Sequence, residues 1–143
     1  MIALVLVLLA QLGLSDDALS SEPGTMAVLR GLEKIPATTT DFEAPVGEPR
    51  AFGALTVLVR YCRTRPPEEP PETFALLEIW DRGLARADDP NLKDETGAWI
   101  GDKVFEGWMV ASTPSLNPLD HAVYDVWPIA CTTASPESDD PAA

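Results

Sequence analysis

LTVLVRYC, residues 55–62, alternates Leu55, Val57, Val59 and Tyr61 along one side of an extended chain, the two-residue period of a β-strand. Leu58, on the other side, predicts that this strand is covered on both faces. Outward from it, the same strand length recurs in FALLEIW (74–80), VFEGWMV (104–110) and AVYDVWPIAC (122–131). Gly107 predicts a bulge or a close backbone approach, and Pro128 confines its strand to an edge or a bulge. TTTDFEAPV (38–46) has the threonine richness of a half-exposed strand. Met26 to Ile35 fits a short helical face through Leu29, Leu32 and Ile35, or a strand. We read it as a strand paired with the threonine-rich one through a turn near Pro36. With 14 prolines and 9 glycines, long helices have little room. The expected fold is all-β, a small sandwich or partly open barrel of about six to eight strands.

The 143 residues suffice for one domain, and 45% apolar content suffices for a core. A formal charge of −13 repels phosphate backbones, which argues against nucleic acid and anionic membrane surfaces as partners. Basic proteins, metal ions and neutral ligands remain open, and simple solubility is the plainer meaning of the charge.

The first 14 residues, MIALVLVLLAQLGL, are too short to cross a bilayer comfortably, which takes about 20 apolar residues. They match the apolar part of a secretory signal, with Gly13 and Ser15 as small residues before a cleavage point, although no Lys or Arg precedes the run. Residues 1–15 are therefore expected to be a signal peptide, with no membrane span left after cleavage. An acidic linker at 16–24, one β domain at 25–133 and a disordered acidic tail at 134–143 follow. Two cysteines, Cys62 and Cys131, suit an oxidising compartment, the periplasm. Joining them would close a loop of roughly 70 residues, worth about 4 kcal/mol on the chain-entropy model. In a reducing compartment they would be two buried thiols.

Catalytic patterns are sparse. His121 follows Asp120 at a strand entrance, where a lone histidine more often caps a turn than moves protons, and no GxSxG is present. Asp88, Asp89, Asn91, Asp94 and Glu95 gather hard oxygens, but their spacing is not that of an EF-hand, and a solvated loop explains them better. Of the four tryptophans, Trp80 and Trp127 are expected in the core. Trp108 and Met109, beside Gly107, are candidates for an interface, with the core as the competing place. RPPEEPPE (65–72) predicts an extended, polyproline-like excursion rooted just past Cys62. Arg63 at its root and Arg65 within it stand beside Glu68, Glu69 and Glu72. It is read as a preorganised partner-binding loop or, equally, as a cover over a sheet edge.

The succession LRGLEK (29–34), TTTDFEAPVGE (38–48), FGALTVLVRYC (52–62), RPPEEPPE, FALLEIW, VFEGWMVASTPSLNPLDHAVYDVW (104–127) and Cys131 resembles domain of unknown function 2155, a set of small bacterial envelope proteins. The resemblance covers about residues 27–131. It implies a signal peptide, a single domain and a cysteine pair, and no defined activity. Pro128 and the long acidic stretch 82–102 depart from its pattern.

Taken together, these readings lead to a non-enzymatic periplasmic module, without catalytic, metal or cofactor-binding residues, that engages another envelope protein. The candidate contact residues are Arg63, Arg65, Glu68, Glu69, Glu72, Trp108 and Met109. A small hydrolase using paired carboxylates, or a purely structural envelope protein, is the alternative.

Overall fold

The computed structural model describes residues 21–83 and 93–133, so the expected leader, most of the linker, the acidic tail and Asp88, Asp89 and Asn91 lie outside the described residues. Eight strands run in order: β1 (Glu22–Pro23), β2 (Met26–Glu33), β3 (Thr38–Pro45), β4 (Pro49–Phe52), β5 (Leu55–Thr64), β6 (Thr73–Asp81), β7 (Asp102–Val110) and β8 (Tyr124–Thr132). All pairings are antiparallel. One sheet has the order β1-β5-β6-β7 with β4 also on β5, and the other has β3-β2-β8. Neither closes into a barrel, so the fold is a two-sheet sandwich.

β2 is a strand, as its pairing with the threonine-rich β3 shows. The turn at 34–37 includes Ala37 at φ 55°, a left-handed residue in the hairpin connection. Pro36 cannot continue a ladder, which is why the turn falls there. β1 and β4 were not visible as strands in the sequence because they are short and contain Pro23 and Pro49. β1 sits at the end of the expected linker.

Ala27, Leu29 and Val126 of the small sheet face Val57, Val59, Leu77, Ile79 and Met109 of the large one, and all are buried. Each large aliphatic side chain removed from water in this way contributes about 1.5–3 kcal/mol. The alternation is broken at three bulges. Val59 and Cys62 face inward, but Arg60 and Tyr61 together oppose Leu76, so the phase slips by one. Ile129 is the extra residue of β8, between Pro128 opposite Leu29 and Ala130 opposite Val28. Val104 is the extra residue of β7. Because a slip of one residue flips the face, Tyr61 turns outward, against expectation, and Cys62 turns in. The bulge after Pro128 does the same for Cys131. The two cysteines form a disulfide between β5 and β8, with Cα atoms 5.9 Å apart.

Other expectations are modified. Trp80 is buried, but on the outer side of the large sheet against Trp99, with ring centroids 5.5 Å apart. Trp127 is half-buried and packs at the margin of the core. Gly107 is not the bulge. The Asn117 amide lies where its Cβ would be, so the glycine admits a side chain rather than a backbone. The proline-rich segment does not extend away. Arg65 N–H donates to Glu72 O at 3.1 Å and Glu69 N–H to Pro66 O at 3.0 Å, folding it into a turn. Pro66 is buried.

Candidate binding surface

The outer face of the large sheet forms four cross-strand rows. Thr56, Trp80 and Lys103 are in register, then Leu58, Glu78 and Glu106, then Tyr61, Leu76 and Trp108, then Arg63, Phe74 and Val110. Pro23 extends the last row through β1. The first row lies against Trp99, while the last two form an apolar platform. Tyr61 is 58% and Trp108 46% exposed, with rings nearly parallel at 18° and centroids 6.4 Å apart. Leu76 and Phe74 beneath them are half-buried. A contiguous exposed apolar area of this kind is a candidate binding surface.

A charged rail borders the platform. The Glu78 carboxylate accepts from Arg60 Nε at 2.5 Å and from Lys103 Nζ at 3.1 Å, and Lys103 also reaches Glu106. Burial pushes the Glu78 carboxyl up, but these cations outweigh it and hold it below its ordinary value.

At the opposite end the proline-rich turn continues from the row of Arg63 and Phe74. Arg63 donates to Ser21 Oγ at 2.5 Å and to Ser21 O at 2.6 Å, so its guanidinium holds the chain entering β1. Glu72 accepts from the N–H groups of Thr73 and Ser112, each at 3.1 Å, and from the Ser112 hydroxyl. It therefore staples the loop to the end of β7. Arg65, Glu68 and Glu69 are exposed, and Arg65 lies 3.9 Å from Glu69. Met109 is 1% exposed and points into the core, where no partner reaches it. Of the seven candidates, then, Trp108 lies on the platform and Arg63 on its rim, Arg65, Glu68 and Glu69 lie beyond its end, and Glu72 and Met109 serve the fold. Tyr61 was missed. The one available signal was Arg60, a charged residue interrupting an apolar run.

His121 caps the turn into β8. Its Nδ1 accepts from the N–H groups of Val123 and Tyr124 at 3.0 and 3.1 Å, leaving Nε2 to donate to Asp81 at 3.1 Å. Asp94 likewise organises its own loop, accepting from Thr96 N–H at 2.8 Å and Ala98 N–H at 3.1 Å. An open concavity of about 260 Å³ lies between the 114–119 loop and β8, lined mainly by Pro114, Pro118, Leu119, Val126 and Trp127.

Glu72 and Asp81 share the situation of Glu78. Burial raises each carboxyl, and hydrogen bonds outweigh it: Ser112 and Thr73 for Glu72, Gly83 N–H and His121 for Asp81. Their folded-state values lie below the ordinary 4.5 and 3.8. Their stabilisation is complete above those values and disappears as pH falls through the lower folded ones. The unfolding midpoint should therefore be level near neutrality and drop below about pH 4.5, with Glu72→Gln showing a shallower drop. A midpoint unchanged on acidification to pH 3 would contradict this account.

The chain is 26% identical over 100 residues to the uncharacterized protein RP359 of Rickettsia prowazekii (strain Madrid E), covering 70% of this chain and 56% of that protein. It thus spans little more than half the length of that relative. No solved structure matches it. Residues 27–131 match the family described as uncharacterized protein conserved in bacteria (DUF2155), and this chain belongs to that family.

Proposed function

We propose that this protein is a non-enzymatic accessory module of the bacterial periplasm that docks onto another envelope protein through its Tyr61–Trp108 platform. The observation that carries this reading is the pair of exposed, near-parallel aromatics on the outer face of the large sheet with a charged rail beside it. Such a face offers desolvatable area at its centre and orienting charges at its rim, the anatomy of a protein interface. The disulfide supports an oxidising compartment. A paired-carboxylate hydrolase is less well supported. Glu72, Glu78 and Asp81 are held low and engaged in structural contacts, whereas a general acid needs its pKa raised.

A photo-reactive phenylalanine analogue at position 61 or 108 tests the reading in cells. We expect one discrete adduct with a different protein from either position and none with a different protein from position 43 on the opposite sheet. Trp108→Ala, or Glu68→Lys with Glu69→Lys beyond the platform's end, should reduce the adduct formed from position 61. The charge reversals should leave stability within about 0.5 kcal/mol, because Glu68 and Glu69 are exposed, whereas Trp108→Ala gives up its packing on Tyr61 and should cost about 1–2 kcal/mol while the protein stays folded. A folded protein giving no adduct from 61 or 108 would overturn the proposal.

A further inference from the structure

Every open sheet carries edges, and proteins guard those that must not pair. Among the described residues, three of the four sheet margins carry such guards. β1 and β4 are short and contain Pro23 and Pro49. On β7 the Asn117 side chain donates to Trp108 O at 3.0 Å, occupying an edge acceptor, and Val104 adds a bulge. On β8, Pro128 has no N–H to offer and Ile129 bulges next to it.

β3 differs. Val46 N–H donates to Thr25 O, which sets the phase of the β2–β3 ladder: Thr38, Thr40 and Phe42 bond inward to β2. Thr39, Asp41 and Glu43 therefore turn their N–H and C=O groups to the free edge. Arg50 Nε donates to Glu43 O at 3.3 Å, in agreement with this phase, and guards that position alone. Thr39 and Asp41 are left open in a stretch without proline, lysine or bulge, exposed on both faces.

We propose that this edge is a self-association surface on which a second copy lays its own β3 antiparallel, joining two three-stranded sheets into one continuous sheet. Charge permits this occupant and narrows the register. A chain of net charge −13 repels its own copies over most of its surface. Here, however, Thr38–Thr40 are neutral and Asp41 is bound to Arg30 at 2.7 and 2.9 Å. With Thr40 facing Thr40 across the two-fold axis, Thr39 of each copy lies opposite Asp41 of the other. Both backbone bonds of each pair form, and the threonine hydroxyl can donate to the carboxylate. Centring the axis on Asp41 instead sets like charges face to face. The chosen register also brings the hairpin tip, where Ile35 is 81% exposed, toward the Pro45 end of the other β3. The Tyr61–Trp108 platforms lie on the other sheet and stay open, which makes the dimer bivalent toward a partner.

The protein produced from the full chain should show twice its protomer mass in sedimentation equilibrium as concentration rises to about 1 mM, the weak class expected of a short ladder. Thr39→Pro removes only an edge-facing N–H, which a strand margin tolerates. That variant should remain at protomer mass with an unchanged circular dichroism spectrum. In the wild type, amide exchange at Thr39 and Asp41 should slow with concentration, a readout that needs no variant. Protomer mass at every concentration with concentration-independent exchange overturns the proposal, as does a dimer abolished by Trp108→Ala and untouched by Thr39→Pro.

Discussion

Replacing Cys62 and Cys131 together by alanine is expected to lower the unfolding free energy by about 4 kcal/mol. The bridge closes a sequence separation of 69 residues, so opening it returns a large loop's freedom to the unfolded chain. It also joins β5 of one sheet to β8 of the other. Cys131 Sγ lies where a Cβ on Gly24 would be, so Gly24 leaves the space the bridge fills. For a domain of this size the loss corresponds to a midpoint roughly 12–20 °C lower. Thermal unfolding of the double variant beside the wild type, without reductant, measures it. The native protein should show no free thiol when unfolded without reductant, and full labelling of both cysteines would refute the bridge itself.

Gly31→Ala should cost about 2–3 kcal/mol, opposite in sign to propensity, which favours alanine over glycine in a strand by a fraction of that. Gly31 lies inside β2, where the Phe52 ring occupies the volume an added Cβ would need. Phe52 cannot give way easily. It is stacked on Phe42 at 5.4 Å and 5°, and Tyr124 meets it edge-on at 5.7 Å. Moving the ring would disturb both neighbours and the hydrogen bond from Ala54 N–H to Tyr124 Oη at 3.2 Å. A denaturant midpoint equal to or above that of the wild type would show that the cluster relaxes, and the packing argument would fail.

Local pattern decided much of this protein. Alternating apolar residues in 55–59 and 74–80 require a buried strand face wherever those segments pair, and the threonine-rich run with its Pro36 turn already makes a hairpin. Pro128 announced an edge or a bulge, and both occur, because its missing N–H is a property of the residue itself. Tyr61, Met109, β1 and β4 were decided elsewhere. In the sequence, Tyr61 continues the inward series Leu55, Val57, Val59, and Trp108 and Met109 are equal candidates for exposure. What separates them is how many residues each partner strand offers. Two residues of β5 oppose Leu76 alone, so Tyr61 joins Trp108 outside while Cys62 turns in. Ile129 performs the same shift for Cys131. Side-chain period is local, but its phase relative to the core belongs to the pairing of strands distant in sequence. The platform and the disulfide therefore arise from the same tertiary event, the slip at Arg60, which sends one aromatic ring to solvent and one sulfur into the core.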